Sequence, residues 1–363
     1  MGRPAKASID LNALRNNYRL AQQVAPQSKN LAVVKANAYG HGAVACARAL
    51  ESLTPAFAVA CIEEALKLRA SGIRKPILLL EGIFTADEVA IAAQADFWLM
   101  VENNQHLEQI EASNPDHPVR VWIKLDTGMH RLGMEPAVFP AAYARLKAMP
   151  QVDDEIVIVT HFSSADNLAD PSTPRQIEKF HAACKGIEAP KSLANSAAIM
   201  AWPKARAEWN RPGFMLYGAS PFEQPQAVAD KLLPVMTLTS AVIGLRHIEA
   251  GEAVGYARSW VANRPSVIAT LAIGYGDGYP RHAPSGTPVL VNGRRAPLVG
   301  RVSMDMITVD VTDLPPVSLN DRVVLWGEEL PVNEVASHAG TIGYELLTRM
   351  TGRVPLSYRG GDN

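Results

Sequence analysis

The stretch Ala32–Gly42, AVVKANAYGHG, decides the fold. Ala32, Val33 and Val34 read as the end of a buried strand, yet the next residue is Lys35, whose ammonium group is costly to bury. Ala36 to Gly42 is small and turn-prone, so its backbone can approach a bound molecule closely. A lysine there either snorkels to solvent or acts as a partly desolvated amine nucleophile toward a carbonyl. The same unit, an apolar run that ends on a polar group and gives way to a turn, recurs along the first two thirds of the chain. The runs are Leu31–Val34, Ala56–Cys61, Pro76–Leu80, Phe97–Val101, Val119–Ile123, Ile156–Thr160, Ser192–Ala194 and Phe214–Tyr217.

Amphipathic stretches separate these runs. Asp10 is placed to cap a helix over Leu11–Val24, Thr85 stands at capping-box spacing from Glu88, and Gly72 closes the stretch Ile62–Ser71. Continuous apolar strands imply burial on both faces, as in a parallel sheet covered by helices. Eight such units fit a closed (β/α)8 barrel, a TIM-like fold that does its chemistry at the C-terminal ends of the strands. Lys35, Lys124, Asp126, His161, Asn195, Ser196 and Arg211 all fall at or just past such ends.

From about residue 227 the pattern changes. Met236, Leu238, Ser240 and Val242 alternate with Thr237, Thr239 and Ala241, and Val309 and Val311 alternate with Asp310 and Thr312. This is the period of half-exposed antiparallel strands. Asn292-Gly293 marks a hairpin between Pro288–Val291 and Arg294–Val299. A barrel over 1–226 and a mostly β C-terminal domain over 227–363 are expected, with the first residues free to join the β domain.

Composition excludes several function classes. Lys plus Arg (35) nearly balances Asp plus Glu (36), which leaves no basic field for nucleic acid. No run of about 18 apolar residues could span a bilayer, and the start MGRPAKASID lacks a signal-peptide core. A cytoplasmic protein without membrane or nucleic-acid partners is expected. Cys46, Cys61 and Cys184 lack paired or metal-like spacing and read as reduced core residues, with no metal implied.

Taken together, AVVKANAYGHG, KLDTGMHRLGM, LANSAA, RPGFMLYG, GYARSW, GYGDGYPR and VGRVSMDM, in this order, resemble the alanine racemases of the fold-type III pyridoxal phosphate family. The resemblance spans Ala7 to Pro355. It implies a pyridoxal 5'-phosphate cofactor joined to Lys35. It also implies a two-base interconversion of L- and D-alanine, with Lys35 serving the D-side and Tyr256 the other. Arg211 would face the pyridine nitrogen and, because a guanidinium holds its proton, keep that nitrogen unprotonated. The hydroxyls of Tyr39, Ser196 and Tyr344 and the amides of Ser196, Gly213 and Phe214 would hold the phosphate, with His161 near the ring and linked to Arg211. Arg131 and the amide of Met304 would take the substrate carboxylate. Lys124 matches a lysine that is carbamylated in some members, a simple Lys124–Asp126 pair being the alternative. Tyr279, Arg281 and Arg301 would line the entrance. Ser192 departs from the histidine found in some members.

The implied active form is a homodimer whose β domains complete each other's sites through Tyr256, Met304 and Tyr279. Its product would supply peptidoglycan synthesis, or the enzyme would serve alanine catabolism. Three classes compete on the residues: a racemase of alanine or another small amino acid such as serine, a barrel decarboxylase with an acidic pyridine partner, and a single-barrel cofactor carrier. Arg211 and Tyr256 favour the racemase.

Overall fold

The computed structural model describes residues 2–361. Seven short strands, Ala32–Val33, Phe57–Val59, Ile77–Leu79, Phe97–Val101, Val121–Lys124, Val157–Val159 and Lys191–Ser192, pair in parallel in chain order. The circuit closes through Trp209–Asn210, which pairs in parallel with Lys29–Asn30 just before the first strand. On that side the Val33 N–H also donates to the Pro212 carbonyl at 3.0 Å, and on the other side the Arg211 N–H donates to the Ala194 carbonyl at 3.0 Å. The barrel is therefore an eight-membered ring.

Side-chain alternation explains why its strands read as unbroken apolar runs. Val33, Ala58, Leu78, Trp98, Met100, Trp122, Val157, Val159 and Trp209 fill the interior. Their neighbours Ala32, Phe57, Ile77, Leu79, Leu99 and Ile158 pack outward among the helices. Both faces are dry, so alternation carries no polarity signal. The helix Leu11–Val24 buries Leu11, Leu14, Tyr18 and Ala21, and the Asp10 carboxylate accepts from the N–H groups of Asn12 and Ala13 as its cap. Gly72 follows the helix Ile62–Ala70 with φ +90°, as a terminator should.

Three sequence expectations need correction. Phe214–Tyr217 is a 3-10 turn, and the eighth strand lies upstream at Trp209–Asn210. A short buried apolar run has no periodicity by which to tell the two apart. The helix near Thr85 begins only at Glu88, whose carboxylate reaches back to the Phe84 N–H and the Thr85 hydroxyl. Thr239, Ser240 and Ala241 are buried along with Leu238 and Val242, because the long strand Met236–Ile248 lies inside its sheet rather than on a wet face.

The second sheet has the order Arg294–Pro297, Pro288–Val291, Arg322–Trp326, Met236–Ile248, Lys6–Asp10, Leu356–Arg359, with Ser266–Leu271 added beside Met236–Ile248 and Ile307–Asp310 beside Ser266–Leu271. Lys6–Asp10, from the start of the chain, runs antiparallel to Met236–Ile248 and parallel to Leu356–Arg359. The Asn292-Gly293 turn forms as expected, both residues at positive φ and Val291 opposite Arg294. The short helices Val332–His338 and Gly343–Thr348 follow, and the second rests against the turn that begins at Lys35.

Candidate active site

The strand ends surround a cleft of about 680 Å³ whose lining includes Lys35, Tyr39, Lys124, Arg131, His161, Ser196, Arg211, Gly213, Phe214 and Tyr344. Segments distant in sequence thus converge at one mouth, with Glu81 and Glu345 on its wall.

Lys35 opens an uncommon piece of backbone. Ala36, Asn37, Ala38 and Tyr39 all have φ between +50° and +54°, a full left-handed turn without a glycine. Such residues cost roughly 1–2 kcal/mol each, so the turn must be held from outside. The Glu64 carboxylate accepts from the Ala36 N–H at 2.7 Å and the Ala60 N–H at 2.9 Å, and Asn37 Oδ1 accepts from the Ala43 N–H at 3.0 Å. Gly40 ends the turn where a side chain could not fit: a Cβ there would lie 2.1 Å from the Leu347 carbonyl oxygen. The result aims Lys35 and Tyr39 into the cleft. Burial lowers the Lys35 pKa, and Glu81 and Glu64 partly restore it against Arg131 and Lys124.

Arg211 is buried and almost fully engaged. Nη1 donates to the Ser192 carbonyl (2.8 Å) and hydroxyl (2.7 Å), and Nη2 donates to the Thr160 carbonyl at 2.6 Å and lies 3.4 Å from His161 Nδ1. Its Nε–H has no partner among the described residues. Burial lowers its pKa to about 10, which still leaves a cation at neutral pH. Burial, with Arg211 and Arg131 nearby, holds His161 well below the usual histidine value, so its ring is neutral and Nδ1 can accept. Ser192, the position that departs from the family pattern, is thus a direct support of Arg211.

At the other end of the cleft lies a set of donors. The Ser196 hydroxyl accepts from the Gly213 N–H (2.9 Å) and the Met215 N–H (3.2 Å), which leaves its own proton free to donate. The N–H groups of Ser196 and Phe214 open their helices and have no intrahelical acceptor. The Tyr39 hydroxyl lies where a Cβ on Gly213 would come within 2.7 Å of it. Tyr344 stacks on Phe214 with ring centroids 3.5 Å apart. Burial raises the phenol pKa of Tyr39 to about 12 and pushes that of Tyr344 up as well, so both remain proton donors. These groups suit a dianionic phosphate, and the unengaged Nε–H of Arg211 suits an aromatic nitrogen acceptor. The residues present fit pyridoxal phosphate.

Lys124 does not pair with Asp126. Its Nζ lies 2.6 Å from Glu102 Oε1, a buried carboxylate that follows the strand Phe97–Val101. Asp126 instead caps its own loop, accepting from the N–H groups of Gly128 and His130. Glu102 escaped the sequence reading although it carries the same signal as Lys35, a charge directly after an apolar run. The Arg131 guanidinium has no hydrogen bond or ion pair among the described residues and faces the cleft beside Lys35.

The remaining candidates stand apart from the cleft of their own chain. Tyr256 is 69% exposed and Met304 52% exposed, on the β domain. Tyr279 is not an entrance residue: its ring is 0% exposed and stacks on Trp326 at 6.2 Å. Tyr275 is exposed in its place, on a turn fixed to the Met304 loop by Tyr275 N–H to Ser303 O and Gly276 N–H to Met304 O bonds. Both tyrosines lie in GYGDGYPR, and sequence offers no means of telling which one faces outward. Arg281 and Arg301 are exposed, and neither lines the cleft.

A parallel (β/α)8 barrel with a lysine and a donor-lined anion end at its mouth, followed by a β domain, is the architecture of a barrel amino-acid racemase. Residues 9–221 match the alanine racemase N-terminal domain and residues 235–358 the alanine racemase C-terminal domain. The chain is 52% identical over 358 residues to an alanine racemase of Pseudomonas taetrolens, and equally to a catabolic alanine racemase of Pseudomonas putida, covering 99% of both chains in each case. The crystal structure of a biosynthetic alanine racemase from Pseudomonas aeruginosa superposes with a TM-score of 0.96 at 49% identity, over 99% of this chain and 100% of that one. The chain belongs to the alanine racemase family, and is thereby an amino-acid racemase of the isomerase class.

Proposed function

We propose that the cleft binds pyridoxal 5'-phosphate and that the chain interconverts L- and D-alanine with two bases, Lys35 and Tyr256. The observation that carries this reading is the convergence of a desolvated Lys35, the free Nε–H of Arg211 and the Tyr39–Ser196–Phe214–Tyr344 donor set on one cleft. When bound, the cofactor supplies an aldehyde for amines and an electron-withdrawing ring that acidifies the α-carbon. Lys35 anchors it and moves a proton at the α-carbon on one face. Arg211 keeps its proton and would present its Nε–H to the pyridine nitrogen, which would then stay neutral and withdraw electrons less strongly, favouring return of the proton to the α-carbon. A decarboxylase would place a carboxylate at that position. Arg131, unpaired, is available to the substrate carboxylate, and Lys124 is a candidate for carbamylation that Glu102 holds as an ion pair in its unmodified form.

The second base comes from a second copy of the chain, because Tyr256 lies exposed outside its own cleft together with Met304 and Tyr275. A homodimer with shared sites follows, the two domains being a barrel to about 226 and a β domain beyond it. Among the described residues no helix is long and apolar enough to cross a membrane, and the proposed role is one carried out in the cytoplasm.

Chiral analysis of products tests the reaction, with D-alanine expected from L-alanine and serine converted more slowly. Release of carbon dioxide instead would refute it. Lys35→Ala and Tyr256→Phe should each be inactive, yet unfolding and refolding them together should regain activity. In a mixed dimer one site receives both changes and the other none; no regain would place Tyr256 and Lys35 on the same chain.

A further inference from the structure

His41 has no role in the chemistry above, yet it is fully buried directly beneath the left-handed turn that carries Lys35 and Tyr39. Its Nδ1 lies 2.8 Å from the Tyr39 carbonyl oxygen and 3.0 Å from that of Ala38. Two acceptors at one ring nitrogen assign the proton to Nδ1, which makes the ring a donor to the last two peptide carbonyls of the turn. Nε2 is buried without a partner. A side chain kept there only for packing would not need that unpaired polar atom.

The ring is also part of a stack. Its centroid lies 4.7 Å from that of Tyr217, whose other neighbour at 4.7 Å is Tyr39 itself. The Tyr217 hydroxyl donates to the Val33 carbonyl at 2.9 Å, on the strand that delivers Lys35. His41 therefore holds the turn by hydrogen bonds from below, while Tyr217 ties the turn's aromatic side chain to the barrel strand. Glu64 fixes the opposite end of the same turn.

We propose that His41 is a positioning residue: through its Nδ1–H it fastens the left-handed turn so that Lys35 meets the cofactor aldehyde while Tyr39 meets its phosphate. This rests on the reading of the cleft as a pyridoxal phosphate site. Loosening the turn lets Tyr39 drift from the phosphate, and the enzyme loses discrimination between cofactors with and without one. A general loss of stability would weaken both cofactors alike.

The test compares dissociation constants for pyridoxal 5'-phosphate and phosphate-free pyridoxal, by absorbance titration of the full-length apoenzyme. His41→Phe keeps a ring but no donor. Its preference for the phosphorylated cofactor should fall roughly tenfold, the upper end for one ordinary hydrogen bond. His41→Asn, whose side-chain amide nitrogen takes the place of Nδ1, should restore most of that preference. Should His41→Phe not fold, His41→Gln replaces it, because its amide extends past the Nδ1 position. An unchanged preference in the donor-less variant, or an Asn variant as poor as Phe or Gln, overturns the proposal. Wild-type enzyme with no preference for the phosphate would sink the reading of the cleft, and this inference with it.

Discussion

Gly40→Ala probes whether the left-handed turn must be braced by the C-terminal part of the chain. The added methyl would lie 2.1 Å from the Leu347 carbonyl oxygen and 3.1 Å from its carbon. Both are backbone atoms, so no rotamer change relieves the clash; either the turn or the helix Gly343–Thr348 must shift by more than 1 Å, roughly the shortfall from ordinary contact. Gly72 provides the control. It too has positive φ, +90°, but a Cβ there meets nothing within 4 Å. Gly72→Ala should lose only the left-handed cost, about 1 kcal/mol. Gly40→Ala adds overpacking and should lose about 3 kcal/mol in all. Because the turn carries Tyr39 and the helix carries Tyr344, whose rings are 6.3 Å apart, the same shift should weaken cofactor binding. Denaturation and absorbance titration of both variants measure the two effects. A Gly40→Ala protein no less stable than Gly72→Ala, with unaltered cofactor affinity, would refute the reasoning.

Ser192→Ala removes the 2.7 Å hydrogen bond to Arg211 while the Ser192 carbonyl still accepts. A bond to a charged group is worth about 1.5 kcal/mol at the low end, so kcat/KM should fall roughly tenfold; a change under about twofold would show that Ser192 does not hold the guanidinium. Burial disfavours the Lys35 ammonium, so its free-amine fraction at a given pH exceeds that of an ordinary lysine. The rate of apoenzyme reconstitution with pyridoxal phosphate should therefore rise with pH to a midpoint below 10.5, and a midpoint at or above that value would contradict the assignment.

Much of the cleft was legible because strand ends in a parallel barrel announce themselves: a polar residue after a dry run has nowhere else to go. Lys35, Lys124 and His161 carry that signal, while Arg211, which follows none of the eight runs, is nominated by the resemblance; their convergence follows from barrel closure. Glu102 gave the same signal and was passed over. What sequence could not provide was orientation within a motif. Tyr275 and Tyr279 share one segment, and only the turn's hydrogen bonds to Ser303 and Met304 turn the first outward. Nor could composition show that Ala36 to Tyr39 are left-handed, since alanine and tyrosine normally avoid that region and asparagine enters it as a single residue rather than in a run. The misplaced eighth strand has a similar origin: Phe214–Tyr217 is dry on all sides, and dryness does not distinguish a strand from a helical turn.

The strand Lys6–Asp10 bears on how the chain comes to exist at all. It precedes the barrel in the chain, yet its two neighbours, Met236–Ile248 and Leu356–Arg359, both follow the barrel. The second sheet cannot be completed until Leu356–Arg359 has been made, and Lys6–Asp10 has no partner in it before Met236–Ile248 appears. A nascent chain in this state exposes a strand edge with Ala7 and Ile9 bare. Closing the sheet then sets segments from either side of the barrel next to each other, so the β domain holds together strands that the whole barrel separates in the chain.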